Sequence, residues 1–308
     1  MNIAGLLSRM LVLLVLICIG AACSKLHIID EKGSACINKL VLYVCGPLLN
    51  IKSVQNVQMT YGVRDILMLI VFCVILQLIA LLIGVLAARA VCGKNPIRGV
   101  FSLVTSFGNV FFMGVPVATA LYGDGAVFLL SICVLPFNLF IFTVGIYLIL
   151  GNREQKLPWK KLLINPSLYA TLIALPIFFF RIEFPATVQD ILGYLGQMVV
   201  PLSMLLIGAS LGRMPLKRIF GNGRAYAVCA FKLLLTPLAV FAVLRNIVKD
   251  PMILGLLTVV AAMPSASISP ILCAEYGGDS DFASRSVFLT TLASIGTIPL
   301  MVWLLIAR

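Results

Sequence analysis

The sequence predicts an all-α polytopic membrane protein. It has ten transmembrane helices in two inverted five-helix repeats, with helices 4 and 9 broken and crossing. Three observations lead there. The chain is 61% hydrophobic and only 11% charged, against about 25% charged residues in a soluble domain. Its apolar residues lie in long uninterrupted blocks. Motifs of the first half recur in the second. A bilayer core takes about 20 apolar residues per helix, and lipid admits only helices or closed barrels. The blocks lack the alternation of barrel strands, so helices remain.

The first helix is expected over 3–24, where Arg9 is the one charge. A second follows over 40–51, short but flanked by Lys39 and Lys52, whose stems can snorkel to the interface. The blocks 66–88, 99–123 and 125–152 supply the third to fifth helices, and 162–180 and 191–212 the sixth and seventh. The eighth, 225–244, is interrupted once, by Lys232. The blocks 251–274 and 286–307 complete the count. Connections are short, the longest being the cytoplasmic connector 153–161. One membrane domain over 1–308 follows, with repeat one at 1–152 and repeat two at 160–308.

The N-terminal "LVLICIGAAC" ends in small residues before Cys23, like a lipoprotein leader. Gly20 stands where such a site wants an aliphatic residue, and little positive charge precedes it, so a retained helix is the better reading. The nine cysteines show no paired C-x-x-C spacing and read as small buried hydrophobes. With His27 the only histidine, neither a metal site nor a cofactor is expected. No phosphate-binding Walker loop, Gly-x-Ser-x-Gly elbow or intramembrane carboxylate pair is present, so ATP-driven pumping and enzymatic hydrolysis have no residues to carry them. The net charge of +12 is an orientation signal. Lys25, Lys32, Lys39, Arg89, Lys94, Arg98, Arg153, Lys156 and Arg213 fall among the loops of one side; Lys52, Arg64, Arg181 and Arg245 are on the poorer side. The positive-inside rule makes the richer side cytoplasmic and points both termini outward. The location expected is a cell membrane.

Residues 116–123 read "PVATALYG" and residues 270–277 "PILCAEYG", both P-x-x-x-A-x-Y-G, 154 residues apart. Pro47 and Pro201, each followed by Leu, keep that register, as do Arg64 and Arg218. Several matches in one register indicate an internal repeat. Five helices per unit is odd, so the second unit enters the membrane from the opposite face, the plan of secondary transporters.

Pro116, Pro264 and Pro270 lie inside the fourth and ninth blocks. A proline removes a helix hydrogen bond and frees a carbonyl, and lipid tolerates the break only where protein or a cavity surrounds it. Two uses fit such prolines: a packing kink, or an anion site built from half-helix ends. Asn109 and Gly114 border one break; Ser265, Ser267 and Ser269 border the other. Lys232 is the one strong charge deep in a block, ~16 Å from its helix start at 1.5 Å per residue. It suits a counter-charge to an organic anion, or a donor to carbonyls freed near a proline. Gln77 sits one residue from its symmetry mate. Asn50 and Ser203 are further neutral candidates, whereas Asn138 reads as a helix-packing hydrogen bond.

The stretches "GNVFFMGVPVATALYG", "PLSMLLIGASLGR", "AAMPSASISPILCAEYGGDSDFAS" and "INPSLYATLIALPIFFF" resemble the auxin efflux carrier family over essentially the whole chain. The resemblance implies ten helices, crossed broken helices four and nine, outward termini, and export or exchange of small organic anions. Plant PIN-type carriers, which it is similar to, place the pocket by the crossover and form dimers, so a homodimer is implied. Asn109, Pro116 and Pro270 carry over by motif; Lys232 does not. The long cytosolic loop of many plant members is missing, so neither its phosphoregulation nor auxin itself carries over. Short bacterial-type members are described as permeases for malate or similar carboxylates.

The function expected is therefore a secondary transporter moving a small organic anion, such as a carboxylate or an auxin-like acid, by alternating access, with a proton or sodium ion as coupling partner. A sensor that keeps the fold without flux is the alternative.

Overall fold

The structure is a computed structural model that describes residues 3–55, 61–123, 125–151, 166–213 and 223–306. The connector 153–161 and the charges Lys217 and Arg218 lie outside the described residues. Those described form helices joined by turns and short irregular segments, with one isolated β-bridge. We number the helices α1 (Ile3–Lys25), α2 (Glu31–Val54), α3 (Val63–Cys92), α4 (Arg98–Ser106), α5 (Gly114–Tyr122), α6 (Gly125–Leu150), α7 (Pro166–Phe179), α8 (Ala186–Arg213), α9 (Gly223–Leu244), α10 (Pro251–Ala262), α11 (Ser269–Tyr276) and α12 (Ser280–Leu305). Six of these, α2, α3, α6, α8, α9 and α12, are long and apolar enough to cross a membrane on their own. The expected blocks 99–123 and 251–274 each emerge as two short helices, α4 with α5 and α10 with α11, neither half long enough alone. On α3, Val71, Leu78, Leu82 and Leu86 form an exposed apolar stripe at helical spacing, as lipid contact requires.

Two long helices contain a widened π turn two residues before a proline. Val41–Cys45 precedes Pro47 in α2, and Phe231–Leu235 precedes Pro237 in α9. A proline ring clashes with the carbonyl four residues back and offers no N–H; an i→i+5 turn absorbs both faults without ending the helix. In α9 this turn contains Lys232.

Packing divides the described chain into two compact units. Unit 1 draws on Met1–Ile70, Phe111–Leu135 and Leu163–Met214. There α1 lies along the second half of α8 with backbones nearly touching. A Cβ on Gly208 would meet the Ile17 carbonyl oxygen at 2.0 Å, and one on Gly20 the Leu205 carbonyl oxygen at 2.3 Å. Small residues permit this approach, the usual device where lipid supplies no hydrophobic drive between helices. Phe128 and Phe178, 4.8 Å apart between ring centroids, fill its interior.

Unit 2 draws on Val71–Val110, Pro136–Leu162 and Pro215–Arg308. Gly84 of α3 faces Ser106 of α4, with room for no side chain: a Cβ there would meet Ser106 Oγ at 2.1 Å. Phe101 of α4 stacks on Phe282 of α12 at 6.2 Å. These contacts fix α4 within the unit to which α10 also belongs.

Candidate functional site

Helix α4 ends at Ser106 and α5 begins at Gly114; α10 ends at Ala262 and α11 begins at Ser269. The non-helical segments 107–113 and 263–268 therefore fall at matching places in the two halves, as the sequence indicates. The prolines act differently from expectation. Pro116 is the third residue of α5 and Pro270 the second of α11. In a first turn the missing N–H costs nothing, because no intrahelical acceptor exists for it. These two prolines start half-helices, and only Pro264 lies inside a break.

Within unit 2 the two breaks pair with each other. Gly108 and Ser265 form an antiparallel bridge. Its hydrogen bonds run from Asn109 N to Pro264 O at 2.7 Å and from Ala266 N to Phe107 O at 2.9 Å. Unwound backbone at membrane depth must find internal partners, and each break supplies them to the other. Side chains finish the job. Ser265 Oγ donates to Val104 O at 2.6 Å, Ser265 N donates to Thr290 Oγ1 at 3.1 Å, and Asn109 Nδ2 donates to Ser267 Oγ at 2.7 Å. Asn109 and Ser265 are buried, whereas Ser267 is exposed. Ser269, buried in the first turn of α11, has a hydroxyl without a partner.

Ending a helix leaves its last carbonyls without amide partners. Here two side chains from neighbouring helices cover them. Gln77 Nε2 on α3 donates to Ser106 O at 3.3 Å, and Lys232 Nζ on α9 donates to Ala261 O at 3.5 Å. Donor and acceptor are 29 residues apart in both cases. Lys232 is 2% exposed, and a Cβ on Gly108 would stand 3.2 Å from its Nζ. The ammonium thus reaches the bridge itself, at the negative end of α10, where a cation is favoured. It has three donors, and Ala261 O is its one hydrogen-bond acceptor among the described residues. The carbonyl-donor role read from the sequence is present, and donor capacity is left over.

The remaining sequence candidates belong to unit 1. Asn50 Nδ2 donates to Thr171 Oγ1 at 3.2 Å, while its Oδ1 is buried without a partner. Beside it is a cavity of about 20 Å³ lined by Gly46, Phe111 and Ser131 among others, roughly the room one water needs. Ser203 is fully buried with an unpartnered hydroxyl, and Gly114 and Pro116 are buried in α5. Asn138 makes no packing bond through its Nδ2, which is buried without a partner.

Tyr122 and Tyr276, the tyrosines of the repeated motif, end α5 and α11 and are followed by Gly123 at φ 80° and Gly277 at φ 73°. Their rings are not displayed at an interface: Tyr276 is buried and the Tyr122 hydroxyl is enclosed. Sequence reasoning missed Gly108 and Thr290. Asn109 flagged the neighbourhood of Gly108, whereas one threonine in an apolar helix signals nothing.

A family profile described as Membrane transport protein, that of the auxin efflux carrier family, matches residues 6–302. An "uncharacterized transporter" of Methanocaldococcus jannaschii is 26% identical over 305 residues, covering 96% of this chain and 97% of that protein. A second, of Methanothermobacter thermautotrophicus, is 25% identical over 299 residues, covering 96% and 97%. A Rhizobium meliloti protein named "Putative malonate transporter" is 24% identical over 297 residues, covering 91% of this chain and 90% of its own.

Proposed function

The chain belongs to the membrane transport protein family, and from that premise we propose that it carries a small organic anion across the membrane by alternating access. The observation that carries this reading is the buried ammonium of Lys232, which stands at the paired breaks with one acceptor for three donors. A buried charge without a carboxylate partner costs several kcal/mol unless water or an anion meets it. A dicarboxylate fits, with one carboxylate at Lys232 and the Asn109, Ser265, Ser267 and Ser269 region as further donors. The relative named for malonate supports the same class.

Each broken pair, α4 with α5 and α10 with α11, counts in this reading as one crossing, which with the other eight helices makes ten in two inverted repeats. The equal spacing of Gln77 to Ser106 and of Lys232 to Ala261 supports that symmetry. Exchanging the conformations of two such halves turns an outward-open state into an inward-open one. A proton or sodium ion supplies the coupling, in a cell membrane with both termini outside and a second copy as dimer partner.

The test is flux of labelled malonate and malate in proteoliposomes, with Lys232→Ala as the variant. We expect saturable carboxylate flux in the wild type and at least about a tenfold loss in the variant, the scale of one charge-assisted hydrogen bond. Unchanged flux of every carboxylate would remove Lys232 from the mechanism.

A further inference from the structure

A second polar feature of unit 2 lies away from the paired breaks. It is an open cleft of about 890 Å³, within the volume range of small-molecule sites. The turn between α3 and α4, the first turn of α4, the end of α6, the start of α9 and the turn between α11 and α12 surround it. Three cations line it: Lys94 and Arg98, both exposed, and Arg224, half-buried. Among the described residues of the lining, the one acidic group is Asp279. Its Oδ1 already accepts from Phe282 N at 2.8 Å as the N-cap of α12. The described lining therefore carries more positive than negative side chains.

Two further features point to an occupant. At the start of α4, Ile97 N donates to Asn95 Oδ1 and Arg98 N to Asn95 O, both at 3.0 Å, whereas the Gly99 and Val100 N–H groups have no acceptor within the helix and stand at its positive dipole end. Gly99 in that turn packs so tightly on α6 that a Cβ would come within 1.9 Å of Leu148 O, which keeps the floor of the cleft bare backbone. Independently, Ser102 lines the cleft one turn further in; it is 2% exposed and its hydroxyl has no partner. A buried hydroxyl is rarely left unpaired, and an acceptor in the cleft would complete it.

We propose that this cleft is a second anion site, which binds a phosphate group over the first turn of α4 with Lys94, Arg98 and Arg224 as its cations and the Ser102 hydroxyl as an inner donor. A phosphate matches several cations and amide donors at once, since it presents several strong acceptor oxygens. Two sources share this chemistry: the headgroup of an anionic phospholipid, and soluble phosphate. The exposed Tyr147 ring and the Val85 side chain add an apolar wall that a lipid would use. The proposal is independent of the transport reading, because it concerns no residue assigned there.

The experiment is thermal unfolding of the purified full-length protein in detergent. It is titrated separately with inorganic phosphate, phosphatidylglycerol and phosphatidylcholine. A ligand that binds only the folded state raises the midpoint by mass action, a few degrees at saturating concentration. We expect an anion-specific rise that Lys94→Gln with Arg98→Gln weakens at least about tenfold in apparent affinity. A charge-matched control, Lys25→Gln with Lys32→Gln, leaves it unchanged; all four residues are exposed, so neither pair threatens the fold. Ser102→Ala weakens it by a smaller factor. A rise with phosphatidylglycerol alone assigns the lipid source, and a rise with phosphate assigns the soluble one. No anion-specific rise, an equal rise in the cleft variant, or an equal loss in the control overturns the site.

Discussion

The two breaks of unit 2 are built alike and charged differently. Both interrupt a helix after a buried stretch, both pair their unwound backbone with the other, and both have a final-turn carbonyl covered by a side chain 29 residues earlier. At one the donor is the neutral amide of Gln77, at the other the ammonium of Lys232. A neutral amide suffices to satisfy a carbonyl, so the need for a cap does not explain the charge. Pairing and capping are duplicated, and the charge is not.

Experiments that make the two sides alike test this most directly. Lys232→Gln is the strongest, since it leaves a donor at each break and removes only the charge. We expect malonate flux in proteoliposomes to fall at least about tenfold while the thermal midpoint stays near wild type. A midpoint that collapses with flux would make Lys232 structural.

Gly108→Ala comes next. Its Cβ would stand 3.2 Å from Lys232 Nζ and 3.3 Å from Met263 Cβ, so the ammonium must give way. A several-fold loss of carboxylate affinity is expected, with at most about 1–3 kcal/mol of destabilisation from overpacking. Gln77→Ala, at the neutral break, should cost about 1–3 kcal/mol of stability by leaving Ser106 O without its donor. Its flux should fall less than that of Lys232→Gln; denaturant unfolding beside the flux assay separates the two effects. The smallest effect belongs to Ser267→Ala. It deletes an exposed hydroxyl that accepts from Asn109 and should shift stability by no more than about 1 kcal/mol.

Much of this was legible in the sequence for one reason: lipid imposes a one-dimensional rule. Blocks of apolar residues about as long as the bilayer is thick must be helices, and the structure has helices over each of those blocks. The near-register of Gln77 with Lys232 came from the same counting, and each donates to a carbonyl 29 residues further along the chain. Pro116 was misread as the breaking residue because a proline's position along a block does not reveal whether a turn precedes or follows it. Asn138 was misread because a polar residue advertises a need for a partner without locating one.

By itself, then, the sequence determined the class of the protein, its helical segments, the places where two of them are interrupted and the one charge buried among them. These follow from composition and spacing, which act along the chain. Only the tertiary structure decided that the interruptions bind one another through Gly108 and Ser265, that Gln77 and Lys232 reach equivalent carbonyls, and that Gly108 leaves room for an ammonium. Those outcomes join residues distant in sequence, and the need to satisfy every buried donor and acceptor selects the partner in space.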